Sequence, residues 1–159
     1  MQARTHLEIT KIYDFVETVK RLSDRIIGIG PISLIGLDGI LSWFPGVGIA
    51  YSVGASLVLL WQAFRARVSP GTLVAATLIL IANDVPEAFS LLPVVGEFGA
   101  AINTLFQGHL FAANLIQKNI EKTLYIEGSS SAAHRDGSHA ENLMEMRATK
   151  GKTRLVYLG

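Results

Sequence analysis

The chain contains no cysteine. A disulfide framework and a thiolate metal site are therefore both excluded. Charge is scarce as well: 17% of the 159 residues are charged and 50% are hydrophobic, whereas an ordinary soluble domain carries roughly a quarter charged residues. The net charge is +1 and no long basic stripe occurs, so the electrostatic footprint of a nucleic-acid binder is missing. Residues 2–25 are mixed in charge and lack an apolar run ending at a small-residue cleavage site, unlike a secretory leader. No Ser-His-Asp order, no paired carboxylates on a polar groove and no zinc-ligand spacing appears. Pro45-Gly46-Val47-Gly48 lacks the Lys-Ser/Thr that would make it a phosphate loop. The chain reads as a non-enzyme with no cofactor and no metal.

What charge there is sits at the ends. Residues 1–25 hold five bases and four acids, and residues 118–159 hold seven bases and five acids. The 92 residues between hold only Asp38, Arg65, Arg67, Asp84, Glu87 and Glu97. Ile26 to Phe64 contains the single charge Asp38, Val68 to Asn83 contains none, and Phe98 to Gln117 has His109 as its one ionisable group. About two-thirds of the hydrophobic residues thus lie in a middle segment with almost no charge.

Residues 5–24 predict an amphipathic helix. Thr5-His6-Leu7-Glu8 has the capping-box form, in which hydroxyl and carboxylate each satisfy a free backbone N–H. Ile9, Ile12, Tyr13, Val16 and Val19 follow at helical spacing. Such a helix could cover its own core, dock on a partner or lie in a membrane interface.

The middle segment predicts four apolar legs in two hairpins, over 31–44, 49–66, 71–92 and 97–121. Pro45-Gly46-Val47-Gly48 turns the first pair and Pro93-Val94-Val95-Gly96 the second. Setting Pro45 on Pro93 also aligns Ser42 with Ser90, Val47 with Val95 and Gly48 with Gly96, a repeat of interrupted apolar segments such as membrane proteins use. Bases flank the start, the link and the end of the hairpins, whereas both turns lack them, which places the flanks on the cytoplasmic side. A first leg of about 14 residues is short for a crossing of roughly 30 Å, so a re-entrant first hairpin satisfies the pattern equally. Ala50-xxx-Gly54 and Gly96-xxx-Ala100 supply small residues for close helix packing.

The carboxylates have two readings. An acid at membrane depth suggests ion or proton handling, which would involve Asp38, Asp84, Glu87, Glu97 and His109. Equally, Asn83-Asp84-Val85-Pro86-Glu87 reads as a new helix start, with Asp84 as N-cap and Pro86 breaking the preceding leg; Asp38 would cap a short helix ending at Phe44. His109 pairs with Glu87 or Asp84 in the first reading and is a plain buried hydrogen-bonder in the second.

Residues 123–159 form a polar tail. Gly128-Ser129-Ser130-Ser131 has linker composition, Ser138-His139-Ala140-Glu141 has capping-box form for a short helix through Arg147, and Arg154 to Leu158 is strand-like. Leu155, Val156 and Tyr157 are the residues expected to pair with a partner's sheet edge; without a partner the tail is expected to be disordered.

At "GLDGILSWFPGVG", Gly36 to Gly48, followed by "LPVVGE", Leu92 to Glu97, the sequence resembles the bacterial domain-of-unknown-function 4112 family. The resemblance covers about residues 25–120 and implies a small membrane protein with no established activity. The chain departs from the family pattern at Ile49, where an acid usually follows the first turn.

The expected protein is therefore all-α: an integral membrane protein of two helical hairpins, with up to four membrane segments over 26–122. An amphipathic interfacial helix over 1–25 precedes them and the tail over 123–159 follows. The expected location is a bacterial inner membrane with both termini cytoplasmic, or a virion membrane. The expected partners are the lipid bilayer and proteins of a membrane complex, or further copies in a homo-oligomer. The function expected first is a non-catalytic accessory or structural subunit of a membrane-associated assembly. The alternatives are a proton or ion conductor using the intramembrane carboxylates and a holin-like or membrane-remodelling protein.

Overall fold

The structure, a computed structural model, describes residues 1–28, 47–89 and 108–159, with side chains over 1–21, 53–82 and 108–159. Helix α1 spans His6–Gly28, α2 Val47–Arg65, α3 Pro70–Phe89 and α4 Gly108–Glu121. Strand β1 (Thr123–Ile126), helices α5 (Ser130–Asp136) and α6 (Ser138–Ala148) and strand β2 (Arg154–Tyr157) complete the chain.

The four long helices pack around α4, which touches α1, α2 and α3. Small residues allow this close approach: Ala112 and Ala113 on α4, Ala76 on α3 and Ala63 on α2 are all fully buried. Larger side chains fill the remaining space, with Ile12 and Val16 from α1, Leu59 from α2, Leu80 from α3 and Ile116 from α4 in one cluster. The α1 stripe read from the sequence is this core face. Ile9, Ile12 and Val16 are buried, and Tyr13 and Val19 pack against the same cluster. The α1 stripe is thus spent on the chain's own core.

Local chemistry sets the helix ends. The Glu8 N–H donates to Thr5 Oγ1 at 3.3 Å, as the capping box requires. The Glu8 carboxylate reaches one residue further back, to the Arg4 N–H at 2.7 Å. At α3, Ser69 Oγ accepts the Thr72 N–H at 3.2 Å and Pro70 takes the first helical position, where its missing N–H costs nothing.

The all-α integral membrane expectation is corrected on two counts. Among the described residues, no helix is long and apolar enough to cross a membrane. In α3, Asn83, Asp84, Pro86 and Glu87 occupy the last turns, and Ser52, Gly54 and Ser56 interrupt the first half of α2. The integral-membrane location, bacterial or virion, loses its support with the spans. Secondly, the tail brings a small sheet. Strands β1 and β2 pair in parallel, with Thr123 opposite Arg154 and Ile126 opposite Tyr157. Parallel pairing needs a crossover, which α5 and α6 provide.

The α3 backbone also corrects the expected helix restart. The helix runs without interruption from Pro70 to Phe89, so Asp84 has no helix N-terminus to cap. Pro86 lies inside the helix, not at a new beginning.

Candidate interaction face

Helix α2 carries an outward stripe at spacings of four, four and three: Val53, Leu57, Trp61 and Phe64, joined by Val58. Leu57 is 62% exposed and Trp61 52%. The Trp61 and Phe64 rings stack with centroids 6.1 Å apart. Helix α3, packed beside α2, carries a second stripe of Val74, Leu78 and Ile81, with Leu78 61% exposed. No charged residue occurs between Val53 and Phe64 or between Pro70 and Ala82. Next to α3, Ile79, Phe111, Asn114, Leu115 and Lys118 line a groove of about 530 Å³.

The helices present these residues because both faces of α2 and α3 are apolar. One face of each is buried, through Leu59 and Ala63 on α2 and Ala76 and Leu80 on α3. Alternation would have exposed a polar face; continuous apolarity leaves an apolar one. The outward apolar side chains of the two stripes are each between 39% and 62% exposed, and exposed apolar side chains grouped in this way mark interaction sites. Gly54 lies at the thin end of the α2 stripe, and a Cβ built there meets nothing within 4 Å. The stripe ends in the aromatic pair of Trp61 and Phe64.

Below the aromatic end, the turn from α2 to α3 holds the tail. Arg67, at φ 51°, is the one non-glycine residue at positive φ among the described residues. Its guanidinium donates to the Tyr157 carbonyl at 2.6 Å and the Leu158 carbonyl at 3.0 Å. The Tyr125 hydroxyl donates to the Ala66 carbonyl at 2.8 Å, and burial pushes that phenol's pKa up. Arg154 reaches Asn119 Oδ1 at 3.3 Å, and burial lowers its pKa. Asn119 also accepts the Ser69 N–H at 3.0 Å. One turn therefore joins α2, α3, α4 and the sheet.

The residues singled out from the sequence fall in three groups. Asp38, Pro45, Gly46, Pro93, Gly96, Glu97 and Ala100 lie outside the described residues. Asp84 and Glu87 lie on the last turns of α3, Gly48 in the first turn of α2 and Gly54 on its outward side. His109, in the first turn of α4, has Nε2 3.1 Å from Ser56 Oγ, tying α4 to α2 at a buried serine. The expected edge strand is occupied by the chain itself. Leu155 and Val156 pair with Leu124 and Tyr125, and Val156 is buried. The Tyr157 hydroxyl bridges His139 Nδ1 at 2.9 Å and Asn142 Nδ2 at 3.2 Å. The outward stripe was not singled out from the sequence. Its spacing was visible, but a leg apolar all round does not announce which side is outside.

Residues 12–120 match the family model described as Domain of unknown function (DUF4112). The chain belongs to that family. No curated protein and no solved structure matches it. The DUF4112 match begins within α1 and ends one residue short of the end of α4. The described part of the DUF4112 unit is thus the four-helix bundle with its outward stripe. The β1–α5–α6–β2 unit lies beyond the match and is fastened to the bundle through Ala66 and Arg67.

Proposed function

We propose that this DUF4112 protein is a non-catalytic accessory or structural subunit of a larger assembly, attached through the outer face of α2 and α3. The uncharged outward stripe supports this reading. Fully burying one such side chain is worth about 1.5–3 kcal/mol, and a partner covering the stripe would bury several. The anchored tail adds a second, polar surface, on which α6 has no buried residue.

Leu57→Glu combined with Leu78→Glu tests it. Both side chains point outward, so the variant should fold with an unchanged thermal midpoint. In native electrophoresis of host extracts the wild-type chain should migrate in a species larger than its own 17.2 kDa, and the variant should leave that species. Undiminished assembly of the variant would refute the reading.

A further inference from the structure

Helix α6 buries no residue and is flanked by two glycines at positive φ, Gly137 at 83° and Gly151 at 86°. Its polar hold on the rest of the tail is one cluster. The His139 ring on α6 stacks on the His134 ring of α5, with centroids 3.9 Å apart and planes 22° apart. His139 Nδ1 lies 2.9 Å from the Tyr157 hydroxyl of β2, and Asn142 Nδ2 donates to the same hydroxyl at 3.2 Å. Tyr157 thus works at both ends: its carbonyl accepts from Arg67 of the bundle, and its hydroxyl holds α6. We propose that His134, His139 and Tyr157 form a pH-sensitive latch, closed while both rings are neutral and released when both are protonated, with α6 swinging out on its two glycines.

The hydrogen bonds define the closed state. His134 Nδ1 faces the Ser130 carbonyl at 2.7 Å, an acceptor only, which assigns a proton to that nitrogen. Because Asn142 already donates to the Tyr157 oxygen, the hydroxyl proton goes to His139 Nδ1, the acceptor of a neutral ring. Imidazole takes up a second ring proton near pH 6.5, at about the lower edge of the physiological range. A proton on each ring sets two positive charges 3.9 Å apart. On His139 Nδ1 it also turns the acceptor into a donor, so Tyr157 meets two donors and its own proton loses its partner. Helix α6 packs against α5 and β2, and the titratable groups facing His139 from them are His134 and Tyr157. Among the described residues no carboxylate forms an ion pair with either ring. The neighbouring charges along the chain, Arg135, Asp136 and Glu141, are exposed and screened by water. Asp136 does not switch in this range: the Ser138 N–H and hydroxyl donate to it and hold its carboxyl below the usual range. Opening uncovers Leu143 and Met146, which share the half-buried face of α6 with His139 and Asn142.

Amide protection of the full-length chain, compared at about pH 8 and about pH 5 after correction for intrinsic exchange, reads the latch. An 11-residue helix freed from its neighbours melts, so α6 should lose protection by roughly tenfold or more on acidification. The α4 and β2 amides should keep theirs, because the Arg67 bonds and the β1–β2 ladder involve no histidine. His134→Gln with His139→Gln should remove the response and still fold, since neither ring is buried. Tyr157→Phe should leave α6 weakly protected already at about pH 8 and shrink the response. Equal α6 protection of the wild type at the two pH values, the same proportional loss in α4 and β2, or a response that survives in the double variant would each overturn the latch.

Discussion

Arg67 shows how much one residue decides here. It holds a left-handed backbone at φ 51°, which is costly for a side chain other than glycine, and it spends two donors on the carbonyls of Tyr157 and Leu158. Hydrogen bonds from a charged donor are worth about 1.5–3 kcal/mol each. Arg67→Ala keeps the strained backbone and loses both bonds. It should cost about 3 kcal/mol or more in denaturant unfolding, with faster amide exchange in β2 than in α4. Arg67→Gly relieves the backbone as well and should cost less, by about 1 kcal/mol. Tyr13 offers a second residue-scale test. Its hydroxyl donates to Glu121 Oε1 at 2.6 Å, and that bond to a carboxylate pushes the phenol up to about 12. The neutral phenol is the favoured folded form, so its contribution is complete below pH 10. It is lost as pH rises from 10 toward 12. Unfolding titrations across pH 9 to 12 should show a steeper decline for the wild type than for Tyr13→Phe; parallel curves would refute the assignment.

At the scale of elements, α1 is held to α4 by a buried stripe and a polar clasp. Glu17 accepts from Gln117 Nε2 at 2.7 Å and from Arg21 Nε at 3.0 Å, and both bonds hold its carboxyl below the usual range. Gln117 is buried while the Glu17 side chain is 29% exposed, and a glutamine at position 17 keeps an oxygen to accept from it, so the stripe dominates. Ile12→Ala, at a side chain 2% exposed, should cost about 2–5 kcal/mol, whereas Glu17→Gln should be nearly silent at neutral pH. In the tail, local signals went further than their composition suggested. Ser129 lies in a stretch with linker composition, yet its hydroxyl accepts the Ala132 N–H and starts α5. Gly137, at φ 83°, ends α5 and leads straight into α6. The expected capping box at Ser138 is absent: α6 begins there, but its N-cap is Gly137 with no side-chain cap, and the Ser138 hydroxyl donates back to Asp136 Oδ1 at 2.7 Å. The strand-like run Arg154–Leu158 was legible by residue type. Its partner was not, because parallel pairing with β1 depends on a crossover of two helices.

At the scale of the whole molecule, the bundle and the β1–α5–α6–β2 unit share one core. Tyr125, Val156 and Leu158 belong to the same cluster as Leu59 and Ile116. The DUF4112 match stops at residue 120, so the bundle should survive loss of the unit, though weakened. A chain truncated after Ile126 loses Val156 and Leu158 from the core and leaves β1 unpaired. It should keep the helical signal of the bundle while losing more stability than Arg67→Ala does, because two buried side chains at about 1.5–3 kcal/mol each go with the Arg67 bonds. Loss of the helical signal itself would show the two parts to be a single folding unit.

The amphipathic period of α1, the Ser69-Pro70 start of α3 and the strand character of Arg154–Tyr157 follow from side-chain chemistry within a few residues, and the sequence determined them alone. So did family membership, through the match over residues 12–120. The direction of the apolar faces was a different matter. A helix apolar all round has no outward side until its neighbours take one face, and α4 takes the face bearing Ala76 and Leu80 while Leu57 and Leu78 stay outside. Tertiary packing likewise gave β2 a partner within its own chain, because contacts distant in sequence cannot be read from a local pattern.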